Sequence, residues 1–432
     1  MYSFKNLLLI SIVSILFFSE RGYVETPEGD NDPFVKLYSL LDGEEFFKFR
    51  NLLNASKSDL KKWQLAYFEM LFQNLNNKPE LSNSQGNLLI TEFEEIIPDS
   101  LRKVVYVTMA TNYVHLGNYL KASEFTNYVL DSLNQYLDKD ELGNLQNNSR
   151  IWEICIGVPP QTSEITADSR IEFGSSFAGK TVPVDINGVK GDFIFDTGAN
   201  FSVMMKSYAE KTGIKILEGT FKVNSISGIK IDSEIGYAEK MKIGNIKFKN
   251  VLFLVFPDEA LTFSMGLSLE AIIGFPVIRD MKEIQISQND LFIPLNPDVE
   301  SYNNFLLNGF TPVVEVITRN DSLTFAFDTG ATNTLLYSPY FDLYREEIEM
   351  NYELQKIKVE GAGGAVEYKG FILDRIDLNV GSVTSSINKV ELLSEPIPNR
   401  DSKYFGNLGR DYIFQHKSYI INFENMFIDF KD

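Results

Sequence analysis

One tetrapeptide, Asp-Thr-Gly-Ala, stands twice in this chain, at 196–199 and again 132 residues later at 328–331. Each copy follows an aromatic-x-aromatic strand end, Phe193-Ile194-Phe195 in the first and Phe325-Ala326-Phe327 in the second. Upstream of each lies an alternating hairpin pattern, turning at Asn187-Gly188 in the first copy and at Asn320-Asp321 in the second. Downstream, a glycine-bearing segment begins at comparable distances, with Gly228 32 residues after Asp196 and Gly361 33 residues after Asp328. An apolar segment ending in glycine then recurs: Ile272-Ile273-Gly274, and Asn407-Leu408-Gly409, with the glycines 78 and 81 residues after the two aspartates. Strand-like runs, Ile284 to Ile293 and Tyr419 to Phe430, close the two copies. A lone Asp-Thr-Gly occurs by chance in turns; two copies in matched frames describe a duplicated β unit.

The rarest residues narrow the chemistry. The chain has 432 residues but one cysteine, Cys155, and two histidines, His115 and His416. No intramolecular disulfide can form, and a cysteine-rich zinc site is excluded. Nucleophilic catalysis through histidine would have to use His115, placed in a helical pattern, or His416, which has no nucleophile motif nearby. No carboxylate or histidine cluster has metal-ligand spacing, so neither a metal nor a cofactor is expected. Asp and Glu number 59 against 40 Lys and Arg, a net charge of −19. That balance argues against a nucleic-acid partner, which needs clustered cations.

The organisation changes along the chain. Lys5 precedes an apolar run from Leu7 to Phe18, too short to span a bilayer and patterned as an export signal, although no small-x-small cleavage site follows. Residues 1–22 are therefore read as a signal peptide or N-terminal anchor, and the protein as exported: periplasmic, secreted or associated with the cell envelope. A membrane contact is expected only through that segment if it stays uncleaved. Residues 23–155 read as an all-α domain, with apolar spacing of three and four from Leu101 to Leu133. The stretch Asn112 to Ala122 resembles the turn of a tetratricopeptide repeat, and the roles open to this region are docking, a tether to a protein partner, or a covering pro-segment. From about Thr162 the period becomes two, with Val182, Val184 and Ile186 in alternation. Residues 165–298 and 299–432 are read as two related β lobes.

The two Asp-Thr-Gly copies, with their following glycine segments, resemble the aspartic protease superfamily, which includes pepsin-like and retroviral-type enzymes and retropepsin-like bacterial aspartyl proteases. The resemblance covers about residues 181–430 and leaves out the helical region. It implies a bilobal all-β enzyme of two barrel-like lobes, active as a monomer because both lobes lie in one chain. It further implies that Asp196 and Asp328 are catalytic. Thr197 and Thr329 would bond across the lobe interface, and Ile272-Ile273-Gly274 would pack against its loop. In Asn407-Leu408-Gly409 only the last two members follow the family pattern. The resemblance also makes the glycine segments around Gly228, Gly361 and Gly363 candidate flaps, and hydrophobic side chains the favoured subsite occupants.

The chemistry is consistent with this. Hydrolysis of an amide needs a base for water and an acid for the carbonyl oxygen and the leaving nitrogen. Two carboxyl groups about 3 Å apart share one proton and supply both roles. Gly198 and Gly330 let backbone N–H groups come close to the carboxylates. Ala199 and Ala331 stand where pepsin-like enzymes usually carry Ser or Thr, as in retroviral-type enzymes. With one hydroxyl donor fewer for the ionised form, a mildly acidic optimum is expected rather than a strongly acidic one. The competing readings are a catalytically silent, peptide-binding protein with a protease-like fold, and a helical docking scaffold that the β half merely supports.

Overall fold

The computed structural model describes residues 32–431 apart from 178, 198, 225–229, 263–266, 301–302, 330, 362–363 and 398–402. The expected export signal, and the glycines at 198, 228, 330 and 363, lie outside the described residues.

The chain is an N-terminal helical region followed by a large β-rich region of curled sheets. Seven helices come first: α1 (Pro33–Asp42), α2 (Phe46–Ser56), α3 (Lys62–Leu75), α4 (Pro79–Glu92), α5 (Asp99–His115), α6 (Tyr119–Ser132) and α7 (Lys139–Ile154). Local chemistry sets several of their ends. The Asp32 carboxylate accepts from Phe34 N and Pro33 opens α1, while Asn118 caps α6 by accepting from Lys121 N. Asp138 and Glu141 form a reciprocal capping box at the start of α7. Gly117, between α5 and α6, has φ +66°, and a Cβ there would lie 2.8 Å from Pro160 Cα. The turn thus needs glycine both for its left-handed backbone and for the close passage of the linker.

In the β half, the strands from Thr162 to Ile273, apart from Ser169–Glu172, form one twelve-stranded sheet, and those from Phe305 to Leu408 an eight-stranded one. A five-stranded sheet joins them: Ser169–Glu172, Asp290–Ile293 and Glu283–Ser287 come from the first lobe, Ser418–Asn422 and Phe427–Lys431 from the second. The runs that end the two copies pair with each other at its centre, Ile284 opposite Ile421. The first hairpin turns at Asn187-Gly188 (φ 53° and 91°) as its sequence requires. The second turns one residue earlier than expected, on Arg319 and Asn320 (φ 50° and 70°), so that Thr318 pairs with Asp321. The hairpin needs two consecutive left-handed residues, and Arg319 adopts that conformation alongside the asparagine.

The helices are built into the β half rather than appended to it. One continuous apolar cluster runs from Phe34, Leu37, Phe49 and Phe68 of the helices to Leu306, Val313, Ala326, Ile357, Leu393 and Tyr404 of the second lobe. A second carries Tyr119, Ile151, Trp152 and Cys155 into the core of the first lobe. Polar contacts follow the same seams: Arg50 pairs with Glu315 at 3.3 Å, and Asn77 donates to Phe423 O at 2.9 Å. Among the described residues, no helix is long and apolar enough to cross a membrane.

A chain beginning at Thr162 would expose the second lobe's apolar face to water, a patch far larger than soluble monomers carry. Such a truncated protein is expected to be aggregation-prone and to lack cooperative unfolding. A cooperative transition at the full-length Tm would contradict this. His115 gives a second test. Its ring stacks on Phe310 with centroids 4.6 Å apart, and Nε2 is buried with no hydrogen-bond partner among the described residues. Burial, followed by the Arg279 guanidinium, holds its pKa well below the usual histidine range. The unfolded imidazole takes up a proton near pH 6.5 while the folded one resists it. Stability is therefore full above that pH and falls below it, by up to about 1.4 kcal/mol per pH unit. Comparing Tm of the wild type with that of His115→Phe across this range should show the variant gaining relative stability as pH falls. A pH-independent difference would refute it.

Candidate active site

Each Asp-Thr-Gly-Ala loop leaves a strand, Val189–Phe195 or the more deeply buried Asp321–Phe327, and is gripped at both ends by backbone hydrogen bonds. At the entry, Asp196 N donates to Ile273 O at 3.1 Å and Asp328 N to Leu408 O at 3.2 Å. At the exit, Ala199 O accepts from Phe275 N at 2.7 Å and Ala331 O from Arg410 N at 2.9 Å. The gripping strands lie parallel to those that deliver the aspartates, Ile273 opposite Phe195 and Leu408 opposite Phe327. Gly274 and Gly409 sit where a Cβ would come within 2.4 Å of the loop backbone, at Phe201 and Asn333 respectively.

The second gripping strand departs from the first in sequence but not in geometry. Asn407 stands where the first copy has Ile272, yet the strand keeps its register and Leu408 still receives Asp328 N. Only backbone atoms do that work, which is why the substitution is tolerated. The departure leaves a trace: Asn407 Oδ1 is buried with no partner among the described residues.

The two loops meet. Thr197 Oγ1 lies 3.1 Å from Thr329 Oγ1, although the residues are 132 positions apart. Asp196 and Asp328 each stand one residue before a touching threonine, and both are partly buried. Asp328 Oδ1 also accepts from Ala331 N at 3.2 Å. The structure therefore brings Thr197 and Thr329 into contact, with Asp196 and Asp328 immediately before them along the chain. Two hairpins accompany the loops: Phe221–Asn224 with Lys230–Ala238, and Gln355–Gly361 with Gly364–Val380. Gly361 pairs with Gly364 at the last described rung of the second hairpin, while Gly228 and Gly363 lie outside the described residues.

Other chemistries find little purchase. Cys155 is buried, and burial pushes its thiol up to about 12, leaving it protonated and unreactive at neutral pH. His115 is wedged against Phe310, and among the described residues no hydroxyl hydrogen-bonds its Nε2. His416 Nε2 lies 3.2 Å from Ser385 Oγ, with its ring packed between Tyr412 and Phe430. Among the described residues, no group of three or more His, Cys, Asp or Glu side chains could hold a metal ion.

Three supporting residues escaped the sequence reading. Ser202 and Thr334, each six residues after its aspartate, accept from Gly274 N and Gly409 N, both at 3.1 Å. Asp411 in turn accepts from the Thr334 hydroxyl at 2.7 Å. The common offset of the two hydroxyl residues was the available signal.

Residues 182–277 match the family described as aspartyl protease. No curated protein matches the chain. Solved structures that match include a retropepsin-like aspartic protease from Rickettsia conorii, 19% identical, covering 31% of this chain and 94% of that chain, with a TM-score of 0.21.

The threonine contact can be tested by a double-mutant cycle. Thr197→Val and Thr329→Val each leave one hydroxyl facing a methyl, and each should lose about 1–3 kcal/mol of stability. The double variant should lose little more than either single one. Simple additivity would show that the two hydroxyls do not depend on each other.

Proposed function

We propose that this chain, whose β half is of the retropepsin-like aspartic protease superfamily, is an aspartic endopeptidase acting on peptide or protein substrates. The observation that carries the reading is the meeting of two duplicated Asp-Thr-Gly loops through Thr197 and Thr329. In this reading Asp196 and Asp328 share one proton. The ionised carboxyl takes a proton from water as the oxygen attacks the scissile carbonyl carbon, and the protonated one gives its proton to the carbonyl oxygen. The resulting gem-diol collapses as the leaving nitrogen is protonated, which frees the amine and returns the pair to its starting state. Neither a covalent intermediate nor a cofactor enters this sequence.

In the same reading Thr197 and Thr329 hold the pair through their hydroxyl contact, and the loop glycines Gly198 and Gly330 give it room. The hairpins ending near Gly228 and near Gly361 and Gly363 close over bound peptide as two flaps and exclude water. Both lobes reside in one chain, so a monomer is sufficient. The apolar seams with both lobes favour the helical region as a fixed support, whose exposed surface is left for a protein partner. The Leu7 to Phe18 run makes this an exported enzyme.

Cleavage of a peptide library by full-length protein from about pH 3 to pH 8 tests the reading, since a carboxylate pair titrates in that span. Asp196→Asn and Asp328→Asn should each abolish turnover while unfolding like the wild type. The optimum should be mildly acidic, since Ala199 and Ala331 bring no hydroxyl to the pair. A maximum below about pH 3 would contradict that expectation. Full activity in either variant would remove the paired mechanism.

A further inference from the structure

The two loops share a backbone scaffold, but one carboxylate reinforces only the second. In the first lobe Ser202 Oγ accepts from Gly274 N, and among the described residues no carboxylate takes the hydroxyl proton of Ser202. In the second lobe Thr334 is held from both sides. Its N and its Oγ1 donate to Asp411 Oδ1 at 2.8 and 2.7 Å, and Tyr412 N donates to the same oxygen at 2.9 Å. Asp411 stands two residues after Gly409; two residues after Gly274 the chain has Pro276, which has neither a side-chain acceptor nor an N–H.

We propose that Asp411 is a positioning residue for Asp328, and that it makes Asp328 the more firmly held member of the pair. The proposal rests on the endopeptidase reading above. Hydrogen bonds to a carboxylate are shorter and roughly twice as strong as neutral ones. A hydroxyl that donates to a carboxylate is also polarised into a better acceptor. Thr334 therefore holds Gly409 N more strongly than Ser202 holds Gly274 N. Gly409 is the middle of three residues that grip the loop: Leu408 O takes Asp328 N, and Arg410 N donates to Ala331 O. Arg410 adds Nη2 to Thr332 Oγ1 at 3.1 Å. Fixing Gly409 thus fixes both ends of the loop that carries Asp328. Among the described residues, no such carboxylate stands behind the loop of Asp196.

The test uses full-length Asp411→Ala, Asp411→Asn and Ser202→Ala, with two readouts. In steady-state cleavage, Asp411→Ala should lower kcat about 10- to 100-fold, the penalty of a small misplacement of a reacting group, with KM little changed. Asp411→Asn keeps an oxygen acceptor and should recover most of kcat; it also provides a folded comparison should the alanine variant not fold. In amide hydrogen exchange, Asp411→Ala should speed exchange at Asp328 and Gly409 and leave Asp196 and Gly274 as they were. The proposal is overturned by a kcat within twofold of wild type or by faster exchange at both loops alike. It is equally overturned if Ser202→Ala loses as much kcat as Asp411→Ala. If the wild type cleaves no peptide, the endopeptidase reading falls alone, and exchange at the two loops still decides the role of Asp411.

Discussion

The contact between Thr197 and Thr329 is the point on which the arrangement turns. It joins two loops delivered by separate sheets, from segments 132 residues apart. Two partly buried carboxyl groups held close would repel each other if both were ionised, and a flexible scaffold would relieve the strain by letting them part. A neutral hydroxyl pair one residue further on resists that separation without adding charge. It also ties the lobes at the level of the loops, so that any change in the tilt of one lobe is felt by the other.

A single hydroxyl contact cannot hold two lobes, and the structure surrounds it with larger ties. The five-stranded sheet pairs the closing strands of both copies, Ile284 opposite Ile421, so the lobes are hydrogen-bonded as one sheet at that edge. The helices form a further bridge. Phe34, Phe49 and Phe68 share a cluster with Val313 and Ile357 of the second lobe, while Trp152 and Cys155 enter the core of the first. Each lobe is thereby fixed to a common body as well as to its neighbour. The proposed dyad would benefit from this redundancy, because small displacements of reacting groups have large effects on rate.

Much of this was legible from residues alone, for physical reasons. The helical and β halves separate by period, and Asn187-Gly188 announces its turn because few other residues accept two consecutive positive φ values. Arg319 takes the same conformation without any such signature, so the second turn was placed one residue late. Ser202, Thr334 and Asp411 were missed because a hydroxyl or a carboxylate in a loop has many uses, and only the fold shows what it faces. The burial of the helices against the second lobe was likewise hidden. An apolar strand face reads the same whether it covers its own barrel or receives a helix.

Behind the loops, the two copies share their backbone contacts and differ in several of their side chains. Position 272 is isoleucine and its counterpart 407 is asparagine, yet the carbonyls one residue on, of Ile273 and Leu408, receive the aspartate N–H groups alike. Leu254 pairs with Val203 in the first lobe, and Glu391 takes the matching place beside Leu335 in the second. Pro276 and Asp411 differ in the same way. Burial removes water from Glu391 and raises its pKa, a penalty that the leucine of the first lobe does not incur. The second lobe thus carries more polar chemistry behind its loop than the first, while the backbone hydrogen bonds that grip the two loops correspond. A duplicated scaffold can drift this far because a two-carboxylate site asks for equal geometry from its halves. It does not ask for equal surroundings, and unequal surroundings are what allow one member of such a pair to be acid while the other is base.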